Sequence, residues 1–571
     1  MVEINIDGLD LEVEAGTTIL EAAKLAHVKI PTLCYDESLT VNGACRLCVV
    51  EVDGGDVLKP ACSTKINDGM EIKTHSKRVR QVRRTIFELI VSTHDIDCKL
   101  NCLTCFRNGS CELREVGENI ELEEMRLDSL EKGHSKDKSS YSIAREPNKC
   151  IKCGRCVKKC EEVQGVGIFT MANRGPDTVV TTLKNKGMGN VECTNCGQCI
   201  HTCPTGALHE VYHYEAVWEE LNNEDKFVVV QTAPSVRVAL AEEFGAKSGT
   251  IATGQMVTAL KRMGFDRVFD TNFSADLTIM EEGTELINRV KQGGTLPLLT
   301  SCSPGWIKFI EHFYPEYLNN LSTCKSPQQM FGAVAKSYYA KKHNINPEDM
   351  VVVSVMPCTA KKFEANRDEM QEDVDYALTT RELGRMIREI GLDMLNLNES
   401  KYDKMMGQST GAADIFGTTG GVMEAALRTA YELITGEELA KVDFNAVRGE
   451  QGIKKAEVEI GGLTLKAAVA SGLNNAKKLM EEIKNGAEYH FVEIMACPGG
   501  CIGGGGQPFP TNKDVVAKRR EAIYSIDENK KLRKSHENPE IQALYEEYLS
   551  EPASHKAHKL LHTEYIKRNI K

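Results

Sequence analysis

The chain has 571 residues, which is long enough for several domains with substantial cores. Its formal net charge of −12, without a dominant basic patch, argues against nucleic acid as a partner. No window approaches the roughly 18 apolar residues of a membrane span, and the start, MVEINIDGLDLEVEAG, has no basic and apolar leader, so we predict a cytoplasmic protein with no membrane partner. Twenty-one cysteines in that compartment indicate metal ligands rather than disulfides.

Residues 1–78 are predicted to form the first module. Two strands (Val2 to Ile6, Leu11 to Val13) and a helix (Thr18 to Ala26) precede four cysteines with the spacing C-x10-C-x2-C-x13-C. This layout resembles a β-grasp ferredoxin domain with a two-iron cluster, although the spacing differs from the plant type. Zinc is the alternative, but two C-x2-C pairs would suit zinc better than the one pair flanked by distant single cysteines found here. The predicted ligands are Cys34, Cys45, Cys48 and Cys62.

A second module is predicted at residues 79–120, where a helix from Arg80 to Val91 leads into a cysteine-rich segment. Its candidate ligands for a four-iron cluster are His94, Cys98, Cys102, Cys105 and Cys111. The charged stretch 121–147 that follows has a Ser-Lys-Asp-Lys-Ser-Ser core and is predicted to be a solvated connector.

Residues 148–210 contain an internal repeat, the strongest local signal in the chain. The pattern C-x2-C-x2-C-x3-C begins at Cys150 and again at Cys193, and Pro204 follows the second copy. Three cysteines at this pitch bind one four-iron cube, and the fourth of each run crosses to the other cube. The predicted sets are Cys150, Cys153, Cys156 with Cys203, and Cys193, Cys196, Cys199 with Cys160.

From about residue 211 short apolar runs alternate with helical patterns, which is typical of α/β folds. Phe227 to Val230 and Val268 to Asp270 are two such runs. Three later runs each precede a cysteine loop: Leu296 to Leu299 before TSCSPGW (300–306), Val351 to Val355 before MPCTAK (356–361), and Phe491 to Ile494 before MACPGGC (495–501). Ligands collect where the strands of an open α/β sheet end. The cysteines predicted to meet there around a four-iron cluster are Cys302, Cys358, Cys497 and Cys501.

These three loops in this order, followed by IGGGGQ at 502–507, resemble the active site of an iron-only (FeFe) hydrogenase. The resemblance covers essentially the whole chain. It implies a multidomain α+β and α/β protein whose catalytic domain, 211–510, has two lobes of parallel sheet, with residues 511–571 as its helical tail. It also implies an H-cluster, in which a four-iron cube is joined through a cysteine to a two-iron unit with carbon monoxide, cyanide and dithiolate ligands.

The resemblance assigns roles by motif. Cys358 and Cys497 match cube ligands, and Cys501 matches the cysteine that bridges to the two-iron unit. Lys361 matches a lysine that donates to a cyanide. The pocket residues implied in the same way are Pro234, Ser235, Gln328, Met356, Phe416 and Met495, although Met356 and Met495 taken alone would suit ordinary core packing. The implied proton relay is Glu282, Glu285, Ser322 and Arg289, with the two glutamates three apart on one helix face.

Two positions depart from the family pattern. In the second module the family has H-x3-C-x2-C-x5-C, and here Cys98 stands in the histidine's place, so we favour Cys98 over His94 as a ligand. In the first loop the family form is TSCCP, whose first cysteine is a proton donor and whose second ligates the cube, but this chain has Cys302 and then Ser303.

Serine is a poor iron ligand because its alkoxide is harder and far more basic than a thiolate. Either Cys302 has taken over ligation, or Ser303 binds as an alkoxide, or the cube is held by three residues; counting cysteines favours the first. Cys324 is then left over, as a displaced proton donor or as a buried apolar cysteine.

The sequence therefore predicts a cytoplasmic hydrogenase that catalyses reversible H2 oxidation and proton reduction with an H-cluster, one 2Fe-2S cluster and three accessory 4Fe-4S clusters. The chain has no P-loop and no strand-linked G-x-G-x-x-G fingerprint, so flavin and NAD sites are expected on partner subunits. The CLTCFRNGSCEL segment resembles the hydrogenase subunits of NAD-linked, electron-bifurcating complexes that also use ferredoxin. The alternatives are a stand-alone ferredoxin hydrogenase, an H2-sensing protein and a non-catalytic iron-sulfur electron carrier or assembly factor.

Overall fold

We analysed a computed structural model of the chain, which describes residues 1–94, 102, 105–122, 124–130, 133–439 and 442–568, without the side chain of Leu463. Within those ranges no helix combines the length and apolar character needed to cross a membrane.

The N-terminal module is a five-stranded sheet packed against one helix. The strand Val2–Ile6 pairs antiparallel with Leu9–Val13 and parallel with Met70–Lys73, and Val49–Val52 and Lys59–Pro60 complete the sheet. The helix Ile19–Leu25 begins at a capping box, in which Thr18 and Glu21 each accept a hydrogen bond from the other's backbone amide. The predicted strand pair and helix are confirmed.

The repeated cysteine motif folds into two similar short helices, Arg155–Lys158 and Gln198–Thr202. Each is preceded by a glycine in the left-handed region, Gly154 at φ 78° and Gly197 at φ 72°, a conformation that side chains disfavour. The helices Lys77–Ser92 and Glu112–Asn119 flank the second cysteine group, and the hairpin of Phe169–Ala172 and Val179–Thr182 lies between the repeats.

The predicted connector 121–147 is not irregular throughout. Its last part forms the strand Ile143–Arg145, which pairs antiparallel with Leu208–Glu210. Ile143 and Ala144 are buried against the repeat, so apolar packing orders the end of a segment whose composition is otherwise polar.

Within the described part of residues 211–510 there are two four-stranded sheets. In the first sheet Arg267–Asp270, Phe227–Thr232, Met350–Met356 and Tyr376–Thr379 lie in that order, and all neighbours are parallel. In the second sheet Leu298–Leu299, Phe491–Met495 and Leu463–Ser471 are parallel, but the outer strand Ile453–Ile460 is antiparallel. The predicted run from Leu296 shortens to two residues, because Pro297 has no N–H to donate to a ladder.

Helices cover these sheets. The longest, Thr271–Gln292, begins at Asp270, whose side chain accepts from the Asn272 amide. The others of the catalytic region are Tyr214–Leu221, Thr253–Met263, Pro304–Phe313, Pro327–Val334, Ala340–His343, Ala360–Ala365, Thr380–Glu389, Gly411–Asp414, Gly421–Thr435 and Leu473–Lys484.

The C-terminal tail is helical, with helices Lys513–Asn529, Pro539–Leu544 and His555–Leu561. It is fixed to the catalytic region by buried ion pairs. The Arg519 guanidinium lies 2.6 Å from Glu242, and the fully buried Arg428 lies 2.8 Å from Asp527. Near its end the tail reaches Cys324, which forms an antiparallel bridge with His562.

Candidate active site

The central strands of the two catalytic sheets end in the same way. Cys358 follows two residues after Met350–Met356, and Cys497 follows two residues after Phe491–Met495. The two terminal methionines are each 3 % exposed, because these strands are buried on both faces. Each sheet thus presents one cysteine just beyond a buried methionine, at the strand end where ligands collect in α/β folds.

The structure brings Cys358, Cys497 and Cys501 together. Burial raises the pKa of Cys497 well above its usual range, and charge on Cys358, Cys196 and Cys501 adds to the effect. Burial also raises the pKa of Cys501 to about 12, again with a contribution from Cys358. Mutually close, buried thiols are costly to ionise without a cation, whereas metal coordination deprotonates them outright. This donor set therefore fits an iron-sulfur cluster.

Cys302 lies next to the predicted proton relay. The pKa of Cys302 is raised well above its usual range. Burial is the largest cause, Glu282 is the second and Cys501 is the third. Ser303 Oγ instead accepts a hydrogen bond of 3.3 Å from the amide of Ala496, beside Cys497. Cys302 thus lies near both Glu282 and Cys501, and Ser303 lies at the strand end that carries Cys497, so the preference for Cys302 as cube ligand stays a prediction.

Lys361 has a carboxylate partner that sequence reasoning missed. Its Nζ lies 2.8 Å from Glu364 Oε2, 2.8 Å from Ser326 Oγ and 3.2 Å from the Cys302 carbonyl oxygen. Gln328 donates to the same Glu364 oxygen at 3.1 Å and accepts from Ser354 Oγ at 2.9 Å. The sequence did contain a signal for this ion pair, because a lysine and a glutamate three residues apart on a helix lie on the same face.

The expected pocket wall is buried. Pro234, Ser235, Phe416 and the two methionines lie in the interior, with Phe416 6 % exposed. Sequence reasoning gave no role to Gln507, yet its Nε2 donates to the carbonyl oxygens of Ser235 at 3.1 Å and Cys501 at 3.4 Å. The last residue of the IGGGGQ motif thus links the loop of Cys501 to the segment that contains Ser235.

The glycines of that loop are required by close backbone contacts. A Cβ at Gly504 would lie 2.2 Å from the Pro357 carbonyl oxygen, and one at Gly505 would lie 2.4 Å from the Cys196 carbonyl oxygen. Gly500, at φ 93°, would place a Cβ 2.6 Å from the amide nitrogen of Thr419. The loop therefore packs directly on three neighbouring segments of the protein.

Glu282 and Glu285 lie on the helix Thr271–Gln292, as predicted. Ser322 Oγ donates to Glu285 at 2.9 Å and Arg289 donates to its other oxygen at 2.5 Å. Glu282 is 2 % exposed. Its pKa is raised to about 8, mainly by burial and secondly by the charge of Glu285. A carboxyl group that titrates near neutral pH is suited to exchanging protons.

Cys324 is fully buried but its surroundings are not purely apolar. Its Sγ lies 3.9 Å from Glu285 Oε2 and 4.0 Å from His562 Nδ1. It therefore lies at the Glu285 end of the relay.

Two small cavities in the repeat module have the lining that crossed ligation requires. One is lined by Cys150, Cys153, Cys156 and Cys203. The other is lined by Cys160, Cys193, Cys196 and Cys199. Their walls are otherwise almost entirely apolar, which suits a buried cluster held by thiolates.

In the first module the amide of Cys45 donates to Cys34 Sγ at 3.5 Å, and Cys34, Cys48 and Cys62 are buried while Cys45 is partly buried. In the second module Cys102, Cys105 and Cys111 are partly buried and His94 is 4 % exposed. Cys98 lies outside the described residues, so the choice between Cys98 and His94 stays a prediction.

Sequence profiles of known families match nearly the whole chain. Residues 226–505 match the iron only hydrogenase large subunit, C-terminal domain, and 513–568 match the iron hydrogenase small subunit. Residues 1–77 match a 2Fe-2S iron-sulfur cluster binding domain, 83–126 the NADH-ubiquinone oxidoreductase-G iron-sulfur binding region, and 140–209 the ferredoxin-like domain of NADH-quinone oxidoreductase subunit 3.

Individual relatives agree with these profiles. The NADP-reducing hydrogenase subunit HndD of Solidesulfovibrio fructosivorans is 50 % identical, over 100 % of this chain and 99 % of its own. Iron hydrogenase 1 of Clostridium pasteurianum is 39 % identical, over 99 % and 100 %. A solved structure of the FeFe-hydrogenase HydA1 from Chlamydomonas reinhardtii superimposes with a TM-score of 0.57 and 46 % identity, over 62 % of this chain and 99 % of that chain.

Proposed function

The chain belongs to the iron-only (FeFe) hydrogenase family, and from that premise we propose that it is the catalytic subunit of an NAD(P)-linked, electron-bifurcating complex. It is an enzyme that oxidises H2 and reduces protons. The observation that supports the site assignment is the mutual proximity of the buried thiols of Cys358, Cys497 and Cys501, with Lys361 close to Cys358 and Cys501.

We propose that Cys358 and Cys497 ligate the cube and that Cys501 bridges it to the two-iron unit. When bound, the H-cluster supplies the metal chemistry that splits or forms H2. Lys361 supplies a positively charged donor to an anionic ligand in the pocket, and Glu364 holds the Lys361 ammonium in position. The buried wall of Met356, Phe416 and Met495 excludes water.

The contacts between modules support one electron path with two branches. Cys497 Sγ lies 3.9 Å from the carbonyl oxygen of Cys196, so the pocket adjoins the second cube of the repeat. At the first cube, Asn42 of the N-terminal module donates to the carbonyl oxygen of Cys153 at 3.0 Å. Arg107 of the second module donates to the carbonyl oxygen of Cys203 at 3.0 Å. We propose one 2Fe-2S and three accessory 4Fe-4S clusters along this path.

Protons are proposed to travel through Glu285, Ser322 and Glu282 to Cys302. Arg289 and Ser322 orient the Glu285 carboxylate, and Glu282 is the titratable group with the largest effect on the pKa of Cys302. This route leaves Cys302 as the thiol that exchanges protons with the pocket. A non-catalytic electron carrier would need neither this relay nor a bridging thiolate.

We propose that Ser303 occupies the cube-ligand position and that the cube has only three thiolate ligands. The amide of Ala496 donates to Ser303 Oγ, as backbone amides do to anionic ligand atoms. An oxygen ligand, or none, at this corner makes the cube the least firmly held cluster of the chain, because iron in such clusters prefers thiolate.

The proposed partners are ferredoxin and iron-sulfur subunits that bind flavin and NAD(P). One support is that residues 83–126 and 140–209 resemble iron-sulfur domains of NADH dehydrogenases. The other is that a relative aligned over essentially its whole length is named as a subunit of an NADP-reducing hydrogenase. The cytoplasmic location remains a prediction.

The experiment is to purify the native complex anaerobically and supply H2 with NAD+ or NADP+, with ferredoxin, and with both together. Bifurcation predicts that reduction of each acceptor requires the other. Reduction of ferredoxin alone, at full rate and with no co-purifying subunit, would favour a stand-alone ferredoxin hydrogenase.

A further inference from the structure

A cysteine, a histidine and a glutamate converge where the C-terminal tail meets the long helix Thr271–Gln292. The ligand atoms of Glu285, Cys324 and His562 all lie within 4.8 Å of one another. Cys324 Sγ is 3.9 Å from Glu285 Oε2 and 4.0 Å from His562 Nδ1. Tetrahedral zinc, with bonds of about 2.3 Å to sulfur and about 2.0 Å to nitrogen and oxygen, would hold its sulfur about 3.5 Å from the other two ligand atoms, roughly half an ångström closer than Cys324 Sγ lies to them here.

The histidine is already oriented for coordination. His562 Nε2 lies 3.1 Å from Glu281 Oε2, and the donor in that contact must be the ring N–H because the carboxylate only accepts. In the neutral ring Nδ1 then carries the lone pair, which accepts from Thr323 Oγ1 at 2.8 Å, and Cys324 Sγ lies 4.0 Å from the same nitrogen. A carboxylate behind the distal nitrogen of a histidine is the arrangement that supports protein-bound zinc.

The backbone fixes the distance between the ligands. Lys325 donates to the Leu561 carbonyl oxygen at 2.8 Å and Thr563 donates to the Thr323 carbonyl oxygen at 2.7 Å, so Cys324 and His562 are held opposite each other. Arg289 and Ser322 hold Glu285. An ion that binds His562 Nδ1 takes the place of the hydrogen bond from Thr323 Oγ1, while the backbone that carries the ligands stays where it is.

The charge of the site also favours a divalent cation. Glu281, Glu285 and an ionised Cys324 thiolate outnumber the single positive charge of Arg289. Binding would release the thiol proton to solvent. The Glu285 side chain is 14 % exposed, which gives an ion access from the surface.

We infer that Glu285, Cys324 and His562 form a binding site for a thiophilic divalent cation such as Zn²⁺, with Glu281 as the positioning residue behind His562. An ion bound there ties the Glu285 carboxylate and blocks the outer end of the proton route. The inhibition rests on the proposed function, whereas the binding does not.

The test adds one equivalent of ZnCl2 to the anaerobic holoenzyme, removes unbound metal, and measures zinc, iron and the X-ray absorption at the zinc edge, where iron does not interfere. We expect one retained zinc with one sulfur near 2.3 Å and lighter atoms near 2.0 Å, and unchanged iron. Zinc with several sulfur ligands and a loss of iron would mean replacement in the clusters and would overturn the inference, as would failure to retain zinc.

Three variants locate the site. Cys324→Ser and His562→Gln should each weaken zinc binding by more than about 100-fold, since outer-shell changes alone cost 10–100-fold, and Glu281→Gln should weaken it by about tenfold or more. His558→Gln is the matched control, because His558 stacks on His562 at 4.5 Å but is not a ligand, and it should leave the affinity unchanged. Equal zinc affinity in all four variants would overturn the site.

Measuring H2 turnover then separates the claim that zinc binds at this site from the claim that bound zinc blocks the proton route. Zinc bound with the expected coordination should inhibit H2 production in parallel with occupancy. Zinc bound there without inhibition would leave the site standing and would remove Glu285 from the proton route.

Discussion

Lys361 and Glu364 form a buried ion pair, with Nζ 2.8 Å from Oε2 and with the two side chains 11 % and 3 % exposed. Lys361 lies close to the thiols of Cys358 and Cys501 and donates to the carbonyl oxygen of Cys302. The sequence predicted only an anionic ligand as the partner of Lys361. Glu364 holds the Lys361 ammonium in place without that ligand.

Glu364→Gln should destabilise protein that is produced without the two-iron unit, because it leaves the Lys361 ammonium buried without a counter-charge. The expected loss is about 3 kcal/mol, in line with removing one partner of a buried pair, and thermal unfolding measures it as a lower Tm. The matched control is Lys361→Met combined with Glu364→Leu, which should recover most of the stability. A double variant as unstable as Glu364→Gln would show that the loss is not electrostatic.

The proton route predicts a pH dependence. Burial raises the pKa of Glu282 to about 8, so the group carries a proton below that pH and becomes a fixed carboxylate above it. H2 production limited by proton delivery should therefore fall as the pH rises through about 8. Glu282→Gln should lower turnover by about 100-fold or more. A rate that stays level through this pH range would argue against Glu282 as a relay group.

The same shift bears on stability. The pKa of Glu282 in the folded protein lies above the ordinary carboxyl value of 4.5, so its contribution is fully present below pH 4.5 and is lost as the pH rises through about 8. Glu282→Gln should remove this component from the pH dependence of Tm, and an unchanged dependence would contradict the assigned pKa.

The second module offers a choice between two ligands. If Cys98 is the fourth ligand, Cys98→Ala should remove or convert one four-iron signal in electron paramagnetic resonance, because a cube that loses a thiolate loses iron or changes its spin state. His94→Ala should leave that signal in place. The reverse outcome would restore the histidine ligation of the family.

Much of this account could be predicted from sequence. The spacing of the repeat predicted which cysteines would share a cavity, because cluster geometry fixes that spacing. The apolar runs predicted the central strands within one or two residues. Gln507 and Glu281 were missed, because a single buried polar residue carries no periodic signal and its partner is distant in the chain, whereas Glu364 was missed although Lys361 lies only three residues before it. The choice between Cys302 and Ser303 stays open, because counting cysteines cannot show which of two adjacent side chains lies nearer the other ligands.

Ser303 and Cys302 can be separated by substitution. Ser303→Cys should increase the iron content and the stability of the cube, because it supplies the missing thiolate. Cys302→Ala should keep the cube and slow turnover, because it removes the thiol next to Glu282. Iron analysis and electron paramagnetic resonance measure the first effect and H2 production the second. Loss of the cube in Cys302→Ala would return ligation to Cys302.

The central claim is that Cys501 joins the cube to the two-iron unit in the pocket between the two sheets. Infrared spectroscopy of the matured protein tests it most directly, because carbon monoxide and cyanide ligands absorb where protein does not. We expect these bands in the wild type, and in Cys501→Ser we expect their loss together with all H2 turnover, while the accessory-cluster signals remain. Retention of the bands and of substantial turnover in Cys501→Ser would contradict the assignment of the site.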